Sequence, residues 1–583
     1  MKTFETFEDV LKTVEFEGKL LPGFSGIGRL RGRQDYSEDE TTVLNHFFTN
    51  INSNVYCAKD TMPNEFWALI MGQYARSNLT ARDRLLVLFQ DMETKKKGIP
   101  VSEVAAAIKK HGDITELLEK HMKEAGKFIE EYGIAYGHAS LRDSGTIRIC
   151  FEGVSQRITK FLEAAREGAY QEQSTRALPF KVEHLGMPYE IRGTEFENVM
   201  MSMDLKLIKF YDRLYSSLVQ HLHKKFAHLR AAADKEIADR LGGDDIKLTD
   251  RDWNGIIEAK AFDVARYLLP QNMTTSLGVT LNTRRFQDVL TEWQSSHLWE
   301  MRMVGRAAQI ESMKISPELM KHGNPSPYFM NLRGNLDGVF AKYAGRNTDF
   351  EYTNEYVSSV LIAHTQELED FVLASILLNG SDGSRSLFEL KDIVKRLGAD
   401  ERREIAEAAA KGKGEHDIFS KSLEIGSLTF ERVYDIGAYR DLHRQRGDRQ
   451  QVSPYSVVGY SMPVEVAEVG MDKEFVASAE EVKKLYDYFG ANGLSHVGEY
   501  VPMMANTLLH VATMDPGQQF YQAKLRCQAA GIDSYRTISL QEVAQTLEIM
   551  PSFKGLVPYD ATPKYDLGRL PEKVEGIVRK NKK

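Results

Sequence analysis

Similar stretches recur in the two halves of this chain, and no other feature limits its fold so strongly. FEGVSQRITKFLEAAREGAYQEQS at 151–174 parallels FERVYDIGAYRDLHRQRGDRQQVS at 430–453. Each opens on a strand-like Phe-Glu, runs into a helix, reaches an arginine and ends in a polar, Gln-containing loop closed by Ser. YLLPQNMTTSLGVTLNTRRFQDVLTEWQ at 267–294 parallels YVPMMANTLLHVATMDPGQQFYQAKLRC at 500–527. Each starts with Tyr, apolar residues and Pro, and ends in an amphipathic helix. The order is the same both times, which predicts two halves of similar design, 1–335 and 336–583. A chain of 583 residues is long enough for two or more domains.

Between the repeats the pattern is mostly helical. Apolar residues at three- and four-residue spacing predict helix over 64–91, 196–240, 365–378 and 480–490. TIRICFEG at 146–153 and SLTFERVYDI at 427–436 read as strands. NPSPYFMNLRGN at 324–335 reads as a linker, and KGKGE at 411–415 as a flexible loop. With 75 Lys+Arg against 83 Asp+Glu the net charge is −8, so no DNA binding is expected, although a local basic pocket for a phosphate remains open. Cys57, Cys150 and Cys527 lie far apart and form no CxxC pair, which indicates neither a zinc ribbon nor a disulfide framework. The opening MKTFETFEDV has no apolar core, and the run Phe371 to Leu378 is too short to span a bilayer. The expectation is a cytoplasmic protein with no membrane association.

Familiar catalytic signatures are absent: no Walker A loop, HExxH or GxSxG occurs, and the Gly26, Gly28 and Gly32 cluster does not fit GxGxxG. His221, His223 and His228 sit on a polar helix without a carboxylate at ligand spacing, so no metal site is expected. REGAYQEQSTRALPF at 166–180 is different. It gathers Arg166, Gln171, Glu172, Gln173, Ser174, Thr175 and Arg176 within eleven residues. Arginine offers a forked donor pair to phosphate oxygens, and Ser and Gln add hydrogen bonds, so this composition suits a phosphate and a heterocycle. A solvated helix end would read the same way.

The segment YQEQSTR resembles the signature loop of the flavin-dependent thymidylate synthases. That motif runs Arg-His-Arg, seven residues, then Ser, with Glu two before the Ser and Arg two after it. Glu172, Ser174 and Arg176 fall on those three positions. YGHASLRDSG at 136–145 resembles the family's Gly-His-x-Ser segment, VARYLLP at 264–270 its Ala-Arg-Tyr-x-x-Pro segment, and LNTRRF at 281–286 its Asn-x-Arg segment. In the second half GAYRDLHRQR at 437–446 resembles the approach to Arg-His-Arg, and KLRCQAAGIDSYR at 524–536 the Leu-Arg…Tyr-Arg segment. The resemblance covers both halves and has the form of the long, internally duplicated members. It departs in a complementary way. Arg-His-Arg reads Ala164-Ala165-Arg166 in the first half, whereas Arg444 and Arg446 flank Gln445 in the second, whose Glu-x-Ser-x-Arg loop reads QVSPY. The arginine of Ala-Arg-Tyr-x-x-Pro is Arg266 in one half and falls on Gly498 in the other. Arg526 has its counterpart region in EWQ.

The resemblance implies an α+β fold of two tandem thymidylate-synthase-complementing-like halves, each an antiparallel sheet flanked by long helices. It implies FAD as cofactor, NADPH and methylenetetrahydrofolate as co-substrates, and methylation of a uridine nucleotide at C5, dUMP to dTMP. It implies sites shared between subunits, hence a homodimer that forms a pseudo-tetramer. Arg526 takes the catalytic role of polarising the pyrimidine. Gln171, Glu172, Ser174, Arg176 and Arg266 bind the nucleotide, and His138, Ser140, Arg166, Asn282, Arg444 and Arg446 bind FAD. Two other functions stay open: a flavoenzyme modifying a different pyrimidine, by hydroxymethylation or on uridine in RNA, and a catalytically inactive nucleotide- or flavin-binding paralogue.

Overall fold

Among the described residues, eight extended runs form two four-stranded antiparallel sheets. The first contains β1 (Val55–Cys57), β2 (Thr146–Ser155), β3 (Ala169–Glu172) and β4 (Thr274–Asn282), in the order β1-β2-β4-β3. The second contains β5 (Ser358–His364), β6 (Leu428–Asp435), β7 (Arg449–Val452) and β8 (Thr507–Met514), in the order β5-β6-β8-β7. The computed structural model describes residues 35–62, 70, 78–94, 100–112, 114, 146–176, 178–243, 245–314, 323–344, 357–414 and 417–582.

Short polar side chains turn strand into helix at the same points in both sheets. Ser155 caps the Gln156–Leu162 helix by accepting from Ile158 N at 3.2 Å, and Asp435 caps Ile436–Leu442 by accepting from Ala438 N at 2.7 Å. Asn282 accepts from Arg285 N at 2.8 Å at the head of Thr283–Gln294, and Asp515 accepts from Gln518 N at 2.8 Å at the head of Pro516–Arg526. The second helix after β4 is Trp299–Met313, and after β8 it is Asp533–Ile549.

Backbone hydrogen bonds then fix the correspondence residue by residue. Gln156 N and Arg157 N donate to Met273 O and Gln271 O, while Ile436 N and Gly437 N donate to Asn506 O and Met504 O. Counting back from these bonds, Tyr267 corresponds to Tyr500, and Arg266 to Glu499 rather than to Gly498. The strands also differ from the sequence alignment that sets Phe151 beside Phe430. Gly153, at φ 70°, makes a bulge in β2 that β6 lacks, and the extra residue shifts the register of everything before it.

By compactness the chain divides into two units. Unit 1 is Met1–Ile208, Pro270–Asp349 and Asp487–Val501, and unit 2 is Lys209–Leu269, Phe350–Tyr486 and Pro502–Lys583. Each therefore includes a segment from the other side of residue 335, and Arg266 belongs to unit 2. In unit 1 the helices Glu38–Phe47, Ala81–Thr94 and Val101–His111 pack on the Tyr56 and Cys150 face of the sheet. Trp293 meets Phe151 edge-on at 5.9 Å on the other face. In unit 2 one face packs on Phe520, Val543 and Leu547, while on the other Val360 is 54% and Ile362 51% exposed.

Several sequence expectations change in detail. The 196–240 run is two helices, Glu195–Lys225 and Ala227–Leu241. The 365–378 helix is Leu368–Asn379, and 480–490 lies inside Asp472–Ala491. Of 64–91, helix is described over Ala81–Thr94, while 63–69 and 71–77 lie outside the described residues. The proposed linker at 324–335 is wrong: Pro327–Tyr343 is a 17-residue helix. Pro327 stands at its start, where a missing N–H costs nothing, so the proline initiates the helix instead of breaking the chain. No helix among the described residues is long and apolar enough to cross a membrane.

Candidate active site

Three of the sequence signals lie along one stretch of unit 2, the Ile436–Leu442 helix and the residues that follow it. Arg266 follows the Asp250–Ala265 helix and is 1% exposed. Its Nη2 donates to Gly437 O at 3.1 Å and lies 3.5 Å from Asp441 Oδ2. Glycine at 437 permits this approach, since a Cβ there would lie 3.4 Å from Arg266 Nη2 and 3.0 Å from Asp435 Oδ1. The same helix runs into Arg444-Gln445-Arg446, where both arginines are exposed and Gln445 is buried. With the Gln445 amide turned, its oxygen accepts from Arg526 Nε at 2.9 Å in place of the 3.1 Å bond from Gln518 Nε2. Arg526 ends the Pro516–Arg526 helix, with its guanidinium carbon 5.7 Å from the centre of the Tyr535 ring. Beside this group the Tyr267 hydroxyl meets Ser534 Oγ at 3.1 Å. Burial raises the pKa of Asp435 above the usual aspartate range, against hydrogen bonds from Ala438, Ser534 and Tyr267.

Unit 1 has the same framework with different chemistry. Glu499 stands where unit 2 has Arg266, and Arg157 where it has Gly437. Arg157 Nε donates to Glu499 Oε2 at 3.0 Å, and His297 Nε2 and Arg333 Nη1 approach Oε1 at 2.9 and 2.6 Å. Burial alone would raise the Glu499 pKa, but Arg157, His297 and Arg333 hold it well below the usual range. Trp293 stands where unit 2 has Arg526, edge-on to Phe151 and Phe286. Glu300 receives hydrogen bonds from Ser155 N at 2.8 Å, Ser155 Oγ at 2.7 Å and Tyr500 at 3.0 Å. Burial nevertheless pushes its pKa up to about 7.

The Glu-x-Ser-x-Arg loop lies in unit 1 and is less open than its composition suggests. Residues 169–172 form β3, paired with β4, which leaves Gln171 exposed and turns Glu172 inward. Glu172 is held by Lys160 Nζ at 3.0 Å, and Lys160 also meets Glu163 at 2.5 Å. Ser174 Oγ accepts from Arg176 N at 3.2 Å, and Arg166 and Arg176 are half-buried. Asn282 is exposed and engaged as a helix cap. His138 and Ser140 lie outside the described residues. Sequence reasoning missed Gly437, Asp441 and Tyr267. Only the Tyr of Ala-Arg-Tyr carried a signal; the other two gain meaning only once Arg266 is seen against them. His221 meets Glu468 at 3.0 Å, and no group of three or more metal-binding side chains occurs among the described residues.

Residues 88–318 match the family described as thymidylate synthase complementing protein. Over that span the chain is similar to the family. The matched span holds the Glu172–Arg176 loop, Arg266 and Asn282, while Arg444, Arg446 and Arg526 lie beyond it. The chain is similar to UPF0159 proteins over almost its whole length. It is 26% identical to one from Chlamydia muridarum (92% of this chain, 97% of the relative) and 25% identical to one from Chlamydia pneumoniae (92% and 97%). It is 24% identical to one from Thermoplasma acidophilum (80% and 94%). A solved UMP/dUMP methylase, PolB from Streptomyces cacaoi bound with 5-Br dUMP, is 12% identical with a TM-score of 0.30, covering 36% of this chain and 98% of PolB.

Proposed function

We propose that this protein transfers a one-carbon unit to C5 of a uridine nucleotide, dUMP to dTMP, with FAD as cofactor and NADPH and methylenetetrahydrofolate as co-substrates. The observation that carries this reading is that Arg266 reaches Gly437 at the start of the Ile436–Leu442 helix, while Arg526 reaches Gln445, between Arg444 and Arg446, just past its end, all in one compact unit. The match of residues 88–318 to the thymidylate synthase complementing family supports it. Arg526, always charged and forked, would bind a pyrimidine carbonyl and favour negative charge developing on the ring. Arg266 would hold the 5′-phosphate, with Asp441 and Gly437 O fixing the guanidinium. Arg444 and Arg446 are exposed on either side of a buried glutamine, a donor set that fits the diphosphate of FAD. When bound, the flavin would supply the reducing equivalents, so no protein nucleophile is required.

The reading includes an internal duplication into 1–335 and 336–583 and a homodimer that forms a pseudo-tetramer. In that assembly Gln171, Glu172, Ser174 and Arg176 of one chain would serve the site of a second copy. The experiment is direct. The purified protein should be yellow with a flavin absorption spectrum, and its expression should restore growth of a thymidine auxotroph. A colourless protein that does not complement would leave an inactive nucleotide-binding paralogue. A yellow protein that does not complement favours the second reading, a flavoenzyme acting on another pyrimidine. One observation favours that second reading: Glu172, which the resemblance gives to the substrate, is already held by Lys160 in a buried pair.

A further inference from the structure

Unit 2 contains a cavity of about 450 Å³ that none of the four arginines lines. Its volume falls in the range of small-molecule sites. The same place in unit 1 is filled. Met187-Pro188-Tyr189-Glu190-Ile191 follows β3, and Met462-Pro463-Val464-Glu465-Val466 follows β7. Each turn is closed by the same backbone bond, Ile191 N to Pro188 O and Val466 N to Pro463 O. In unit 1 the Tyr189 ring stacks on Trp299, the first residue of its helix, at 3.9 Å and 11°. In unit 2 Val464 and Asp533 hold those two positions, and both line the cavity. Two aromatic rings present in one unit are thus missing from the other, and the space they would fill stays open.

The walls say what could enter. Val464 and Ile532 offer apolar surface. Around them stand three ion pairs: Lys260–Glu465 at 2.8 Å, Lys564–Asp533 at 3.6 Å and Arg569–Asp263 at 3.9 Å. The Lys564 pair is longer than a hydrogen bond, so Lys564 can turn to an incoming anion without breaking a short contact with Asp533, and Arg569 adds a second positive charge to the wall. The buried Ser461 hydroxyl also lines the cavity and has no hydrogen-bond partner among the described residues. Buried polar groups are rarely left so, and a bound polar molecule would satisfy it. We propose that this cavity binds a planar heteroaromatic molecule carrying an anionic group. Its ring occupies the place of the Tyr189–Trp299 stack, and its anion lies toward Lys564 and Arg569. The cavity adjoins the candidate active site, since Tyr267 and Ser534 line it while Arg266, Arg444, Arg446 and Arg526 do not.

Equilibrium dialysis of the full chain against AMP, FMN and folate, with adenosine as the uncharged comparison, tests it. At least one of the three anions should bind, and Val464→Trp, which refills the cavity, should weaken that binding at least tenfold. Lys564→Ala with Arg569→Ala should weaken the same anion about tenfold and leave adenosine unchanged. Binding of dUMP should be equal in all variants, which separates this site from the proposed active site. Failure of all three anions to bind overturns the proposal, as does binding that a folded Val464→Trp variant retains. Should Val464→Trp fail to fold, the Lys564/Arg569 pair decides alone, because both side chains lie at the accessible rim.

Discussion

Tyr500 of unit 1 and Tyr267 of unit 2 stand at matching points, and each meets a hydroxyl–carboxyl pair whose members have changed places. In unit 1 the strand-end residue is the hydroxyl, Ser155, and the helix supplies the carboxyl, Glu300. In unit 2 the strand end is Asp435 and the helix supplies Ser534. One position away the exchange recurs with opposite charge: Glu499 faces Arg157 in unit 1, while Arg266 faces Gly437 O in unit 2. The framework tolerates either arrangement because only the pair must be satisfied, not its order. The consequence is functional. Unit 1 spends its polar groups on each other and fills the place of Arg526 with Trp293. Unit 2 buries Arg266 against Gly437 O and Asp441 and leaves Arg444 and Arg446 exposed.

The comparison breaks most visibly at Glu499. Glu499→Gln would leave Arg157, Arg333 and His297 facing one another without their acid, and should cost about 3–5 kcal/mol in urea unfolding. A loss below about 1 kcal/mol would mean that this network does not hold unit 1 together. The next effect is one of pH. Glu300 has its pKa raised from 4.5 to about 7, chiefly by burial. Between those values the native state holds a proton that the unfolded chain has released, so stability falls as pH rises through this window and levels off above it. The difference amounts to about 3 kcal/mol. Asp204, raised to about 7 by burial, acts in the same direction. Glu300→Gln should therefore make the curve of stability against pH less steep between 5 and 7, leaving the part due to Asp204, and an unchanged slope would assign it elsewhere.

Two smaller changes sharpen the functional side. Arg176→Ala should weaken uridine nucleotide binding by about 2–3 kcal/mol in calorimetry, the scale of a charge-assisted hydrogen bond, with little change in thermal midpoint. A midpoint that drops while affinity holds would make Arg176 structural. Gln445→Ala removes the acceptor that orients Arg526, at a cost of about 1 kcal/mol in transition-state stabilisation. Its signature is a lower kcat with flavin still bound. Arg526→Lys, which keeps charge but loses the fork, should lower kcat further, and an unaltered rate there would remove Arg526 from the site.

How much could be read beforehand follows the range of each interaction. The strands at 146–153 and 427–436 and the helices at 196–240 and 480–490 were visible because alternation and three-to-four spacing are local properties of the chain. The helix at Pro327–Tyr343 was misread for a local reason too: proline ends a helix from inside but starts one from its first position. Among the candidate site residues, the loop at 172–176 and the arginines at 266, 444, 446 and 526 could be marked from their resemblance to the family's motifs. Their partners could not. Asp441 matters because Arg266, far away in sequence, lies 3.5 Å from it, and Glu172 turns inward because strand pairing sends alternate side chains to opposite faces.

The chain's own sequence determines a repeated strand–helix framework, since polar caps and apolar periodicity act over a few residues and appear twice in the same order. It also determines which half carries which arginine. The tertiary structure alone decides which residues correspond, because the bulge at Gly153 and the bonds from Gln156, Arg157, Ile436 and Gly437 set the register across long separations. Those bonds put Glu499, and not Gly498, in the place of Arg266. The physical reason is that a one-residue change in register is nearly silent in a loose sequence alignment, yet it replaces a neutral glycine with a buried charge that needs its own partners.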